Sequence, residues 1–141
     1  MLVDATILLV EDNPDHAELT LRALRALVLP VSVVWVKDGA DALDYLYGRG
    51  TYAVVPAVRR PSLILLDIKL PKVDGHEVLR RIKTDEALRA IPVVMLTTST
   101  RDDEVLEAYS AGAEAFVPKP VRVDDLVEQV ASLTGRGGTT P

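Results

Sequence analysis

Five short apolar runs punctuate the chain, at Ile7–Val10, Val31–Val36, Leu63–Leu66, Val93–Leu96 and Ala115–Val117. Each is nearly continuous rather than alternating, the pattern of parallel strands covered on both faces. Between the runs the apolar period changes. Ala17, Leu21, Leu24 and Val28 recur at steps of four, three and four, which lays one apolar stripe along a helix. Asn13-Pro14 opens that helix well, with a capping side chain and then a proline at the first helical position. Ala40, Leu43 and Leu46 predict a shorter second helix after Asp38-Gly39, and Val78 and Ile82 a third after Asp74-Gly75. Thr100 and Asp103 have the form of a capping box for a fourth helix carrying Leu106 and Tyr109. Leu126, Val130 and Leu133 define a fifth. The one long connection, Gly48 to Pro61, is polar, contains Arg59 and Arg60, and is expected at the surface.

Five βα units joined by right-handed crossovers predict an α/β fold with a doubly wound parallel sheet, since a closed barrel would need eight. The flavodoxin-like strand order 2-1-3-4-5 suits five strands best. Residues 1–134 read as one domain, and 135–141 (GRGGTTP), which lack apolar anchors, as a flexible tail. The core should be aliphatic, because 48% of residues are apolar but only 4% aromatic. A net charge of −5 without any basic block argues against a nucleic-acid partner. The absence of cysteine excludes disulfides and thiolate metal sites. His16 and His76 are too few for a histidine-rich zinc site and are expected on helix surfaces without a chemical role. The leading MLVDATILLV carries an acid and only a short apolar run, so neither a signal peptide nor a membrane span is expected, and the protein should be cytoplasmic.

The chemistry collects just past the C-terminal ends of the runs. Glu11 and Asp12 follow the first, Asp67 the third, Thr97 the fourth, and Lys119 the fifth. Ligands of open α/β sheets bind outside these ends, at the topological switch point, which this strand order puts between the first and third strands. An acidic pocket flanked by a hydroxyl and an ammonium is therefore predicted. Three close carboxylates repel and raise one another's pKa unless a cation sits among them. All-oxygen ligands without His or Cys favour Mg²⁺ or Mn²⁺ over zinc. Such a site suits phosphoryl transfer, with a carboxylate as nucleophile forming an aspartyl phosphate.

The stretches ILLVEDNP (7–14), LILLDIKLPKVDG (63–75), IPVVMLTTS (91–99) and AGAEAFVPKP (111–120) resemble the receiver domains of two-component response regulators. The resemblance runs from Ile7 to Leu133 in residue type, order and spacing. It implies that Asp67 accepts a phosphoryl group from the phosphohistidine of a histidine kinase. It also implies that Glu11, Asp12, Asp67 and the Lys69 backbone carbonyl hold Mg²⁺, that Thr97 and Lys119 contact the phosphoryl oxygens, and that Phe116 is an aromatic switch coupled to Thr97. Pro120 falls where the family has a cis peptide bond. Lys69 stands at a variable position that helps set the lifetime of the acyl phosphate. The connection beginning YLYGRGTYA (45–53) resembles the subgroup partnered with bacteriophytochrome-type kinases. The signal would leave through a downstream protein or a phosphotransfer partner, with homodimerisation expected on the face of the fourth helix, fifth strand and fifth helix. A receiver assists its own phosphorylation and dephosphorylation but is not a conventional turnover enzyme.

Three rivals differ in chemistry. A phosphatase of the haloacid-dehalogenase type needs a second Asp two residues after the nucleophile, where this chain has Lys69. A flavin- or nucleotide-binding module needs a phosphate-cradling loop after the first strand, where EDNPD would repel an anion. A pseudo-receiver, structurally similar but never phosphorylated and acting as a protein-interaction module, is the alternative that stays open, although the full chemical set is present.

Overall fold

A computed structural model of the chain describes residues 5–27, 31–54, 60–98 and 107–133. Strands β1 (Ala5–Val10), β2 (Val31–Val36), β3 (Leu63–Asp67), β4 (Val93–Thr97) and β5 (Ala115–Pro118) form one parallel sheet in the order β2-β1-β3-β4-β5. The helices are α1 (Pro14–Arg25), α2 (Gly39–Tyr47), α3 (Gly75–Thr84), α4, whose described residues are 107–110, and α5 (Val123–Leu133). The five-stranded order read from the sequence holds. Val28, Arg59, Thr100, Asp103, Leu106 and the 135–141 tail lie outside the described residues, as do the side chains of Val130 and Leu133.

Strand alternation divides the core between the two faces of the sheet. Ile7, Leu9, Leu63, Leu65, Val94 and Leu96 point to the side covered by α1 and α5, packing with Ala17, Leu24 and Leu126. Leu8, Val10, Ile64, Leu66, Val93 and Met95 point to the other, against Leu43, Val78, Ile82 and Ala108. Every residue of β3 and β4 is buried, as a continuous apolar strand requires. The two edge strands depart from the expectation of full cover. Val31, Val33 and Trp35 of β2, and Phe116 of β5, are only half-buried, each strand having a neighbour on one side alone.

The structure defines the inward faces of two helices and corrects one further expectation. The inward face of α2 includes Ala42 and leaves Ala40 and Leu46 half-buried. In α4 the buried position is Ala108, one residue before the exposed Tyr109. The Gly48–Pro61 connection is not wholly superficial. Gly50–Val54 forms a 3-10 turn that places Tyr52 edge-on to the buried Tyr45, with ring centroids 5.2 Å apart, and Pro61 is buried. Aromatic rings and a proline find apolar contact even within a polar segment.

The turns leading from the sheet to the helices are capped by their own side chains. Asn13 Oδ1 accepts from the backbone N–H groups of Asp15 and His16, Asp38 from Asp41, and Asp74 from His76. Each cap stabilises its helix start by about 1 kcal/mol. Gly75 allows a close approach beside the end of β3. A Cβ there would overlap the carbonyl oxygens of Asp67 and Ile68, so only glycine lets α3 begin directly against the end of β3. Among the described residues, no helix is long and apolar enough to cross a membrane.

Leu65 lies at the centre of β3 and is fully buried. Leu65→Ala should lower the unfolding free energy by about 2–5 kcal/mol in urea denaturation, the range for a leucine-sized cavity. Leu19→Ala, at a side chain 44% exposed on α1, should shift it by about 1 kcal/mol or less.

Candidate functional site

The C-terminal ends of β1, β3, β4 and β5 open onto a cleft of about 250 Å³. Glu11, Asp12, Asp67, Lys69, Thr97 and Lys119 all line it, so six of the seven site residues expected from the sequence are brought together. Phe116 is not among them. Its ring packs with the core on the α2–α3 side of the sheet and lies 5.3 Å from the ring of Tyr109.

Glu11 follows β1 directly and is fully buried. Its N–H donates to the Val36 carbonyl at 3.0 Å, continuing the β1–β2 ladder by one rung. Its carboxylate accepts from the Asn13 N–H at 3.1 Å. Asp67 ends β3, and its two oxygens face different partners. Oδ1 accepts from the Lys69 N–H at 3.4 Å, and Oδ2 from Lys119 Nζ at 3.1 Å. Lys119 is itself almost buried, and its ammonium also sits 2.6 Å from Glu11 Oε1, so one cation bridges two carboxylates. The Lys119 N–H donates to the Thr97 carbonyl at 2.8 Å, tying the end of β5 to β4. The Lys119–Pro120 bond is cis, as the resemblance implied.

One carboxyl oxygen from each of Glu11, Asp12 and Asp67 can lie within 4.8 Å of the others. Burial pushes the Glu11 carboxyl up to about 7; the Lys119 ammonium opposes the rise, and the nearby Asp67 charge adds to it. A single ammonium leaves three clustered carboxylates under-compensated. The donors are all oxygen, and Asp12 is exposed and open to solvent. That set fits a hard divalent ion that keeps part of its water shell.

The response regulator receiver domain matches residues 7–131 of the chain. The chain belongs to that family. Among curated relatives of this receiver domain, the probable methanogenesis regulatory protein FilR2 of Methanothrix harundinacea is 47% identical over 129 residues, covering 90% of this chain and 79% of its own. The bacteriophytochrome response regulator AtBRR superposes with a TM-score of 0.83 at 46% identity, over 93% of each chain. The Mn²⁺-bound form of response regulator Rcp1 gives 0.76 at 36% identity, over 96% of this chain and 93% of its own. The phosphorylated cyanobacterial phytochrome response regulator RcpA gives 0.80 at 38%, over 99% and 97%. The receiver is thus close to phytochrome-associated response regulators, and a divalent metal occupies one of these relatives. The family is one of signalling proteins rather than classical enzymes.

Two residues of this receiver escaped the sequence reading. Trp35 donates its indole N–H to the Glu11 carbonyl at 2.8 Å. In the sequence it is one more large residue in an apolar run, with nothing to mark a polar contact. His16 is half-buried at the rim of the cleft rather than on a helix surface, and its Nδ1 has no hydrogen-bond partner among the described residues. His76 is half-buried as well, with Nε2 4.0 Å from Glu107 on α4. Both follow a capping side chain closely, Asn13 for His16 and Asp74 for His76.

The raised pKa of Glu11 has a defined sign for stability. The folded state holds this proton more tightly than the unfolded chain, so the Glu11 contribution is full below about 4.5 and is lost as pH rises toward about 7. In chelator, thermal melts of wild type and Glu11→Gln should therefore diverge in favour of the variant between those pH values, then run parallel. A difference independent of pH would contradict the assignment.

Proposed function

We propose that this receiver accepts a phosphoryl group on Asp67 from the phosphohistidine of a histidine kinase, with Mg²⁺ (or Mn²⁺) held beside it. The observation that carries the reading is the Lys119 ammonium lodged between Asp67 and Glu11 at the mouth of an all-oxygen acidic cluster. Asp67 is 7% exposed, enough to present one carboxylate to the cleft, and its backbone is anchored in the central strand. A carboxylate oxygen attacks phosphorus; the P–N bond of the phosphoimidazole breaks and the imidazole leaves with a proton from solvent. The product is an acyl phosphate on Asp67.

Glu11, Asp12, Asp67 and the carbonyl of Lys69 are the groups that would hold the ion, which supplies charge neutralisation at the phosphoryl oxygens. Lys119 first restrains the Asp67 carboxylate and then pairs with the incoming oxygens. Thr97, 7% exposed at the end of β4, supplies the hydroxyl that meets another. Movement of Thr97 is coupled to Phe116, two positions from the end of β5 with its ring tilted against Tyr109, so the phosphoryl group biases a two-state equilibrium. Exposed Tyr109 on α4 and Val123 and Val127 on α5 make that face the one through which a second copy or a downstream protein would read the state. Likeness to AtBRR and RcpA supports a bacteriophytochrome-type kinase as the donor, in the cytoplasm. Lys69, with its side chain exposed at the cleft, is placed to alter the lifetime of the acyl phosphate.

Intact-mass spectrometry after incubation with acetyl phosphate or phosphoramidate tests the reading. Wild type should gain one phosphoryl group only when Mg²⁺ is present, and Asp67→Asn should gain none. Asp12→Asn should lose the metal-dependent gain while remaining folded by circular dichroism. No gain in wild type under either donor would sink the phosphoacceptor reading in favour of a pseudo-receiver.

A further inference from the structure

The β1–β2 ladder ends where the acidic loop begins. Its last rung is the Glu11 N–H to the Val36 carbonyl. The next rung would require a donor from β2 beyond Val36, but that strand stops and the chain turns at Asp38 to cap α2. The Glu11 carbonyl is left at the edge of the sheet without a main-chain partner from β2. The indole N–H of Trp35 takes that place at 2.8 Å, across a sequence separation of 24 residues. A buried carbonyl without a partner is costly, so the contact has a clear physical cause.

The indole is itself held. Trp35 pairs in register with Leu9 and packs against the core on the α1–α5 side. The Lys37 ammonium lies 5.5 Å from the ring centroid, within cation–π range. A rigid aromatic anchored in β2 thus grips the main chain of the residue that directly precedes Asp12. Among the described residues Glu11 has four tethers: its N–H to Val36, its carbonyl to Trp35, and its two carboxylate oxygens to Asn13 and Lys119. Among the described residues, only the indole bonds to the peptide unit between Glu11 and Asp12. Rotation of that unit would swing the Asp12 carboxylate relative to Asp67.

We propose that Trp35 is a positioning residue of the metal site, fixing the Glu11–Asp12 peptide through its indole N–H so that the Asp12 carboxylate stays in register with Asp67. The proposal rests on the reading of this cleft as a divalent-metal site. Trp35 touches neither the ion nor the phosphoryl group. Outer partners of this kind orient the ligands that do, and their loss weakens metal binding without removing a ligand.

Trp35 is the sole tryptophan of the chain, so residue-specific replacement alters one position. β-(3-Benzothienyl)alanine keeps the shape of the side chain while sulfur replaces the N–H. Trp35→Phe provides a second, genetically simple variant. Mg²⁺ affinity measured by calorimetry at neutral pH should fall about five- to tenfold in both, the effect of one lost orienting hydrogen bond. The melting temperature in chelator reports any general loss of packing, which a purely structural role would move without touching affinity. Wild type and both variants binding Mg²⁺ equally would overturn the role of Trp35 and leave the phosphoacceptor reading intact. Failure of wild type to bind Mg²⁺ would overturn both.

Discussion

A single ammonium between two buried carboxylates organises this protein. Lys119 sits 2.6 Å from Glu11 and 3.1 Å from Asp67, with its own side chain only 6% exposed. Each of these charges alone would be expensive to bury. Together they partly offset one another, but the cluster also contains Asp12, so negative charge remains in excess. The fold supplies no second cation within hydrogen-bonding distance of Asp67 among the described residues. That imbalance suits the hard divalent ion that receiver domains bind.

The rest of the architecture serves to hold those groups still. Asp67 extends from a strand buried on both faces, with its main chain locked to β4. Gly75 lets α3 start hard against the same strand end, and Asn13, Asp38 and Asp74 cap the helices that follow β1, β2 and β3. At the edge of the sheet Trp35 closes the ladder where β2 runs out. Positional precision therefore comes from strands and caps rather than from the loops that carry the chemistry. The edge strand β5 is less covered: Phe116 is half-buried, its ring 5.3 Å from that of the exposed Tyr109.

Most of the fold was legible because its signals are local. The burial of β1, β3 and β4 and the caps at Asn13, Asp38 and Asp74 follow from apolar runs and from residue types whose preferences act within a few positions. The candidate site was legible for a related reason. In a doubly wound sheet the strand ends are equivalent places, so Glu11, Asp12, Asp67, Thr97 and Lys119 could be assigned to one cleft from order alone. The errors fall where burial depends on what lies across the sheet. Edge strands read like central ones, and Tyr52 and Pro61 read as surface because their neighbours are polar.

By itself, then, the sequence determined the number and order of elements, the sharing of one sheet end by the acids, threonine and lysine, and a donor set that suits only a hard ion. These are consequences of periodicity, topology and ligand chemistry, which do not need coordinates. Tertiary structure alone decided who pairs with whom. That Lys119 bridges Glu11 as well as Asp67, that burial lifts the Glu11 carboxyl, that His16 reaches the rim of the cleft, and that an indole on the edge strand grips the Glu11 carbonyl all depend on distances between residues far apart in the chain. Such contacts have no period and no spacing in the sequence, because they arise only when separate elements have packed.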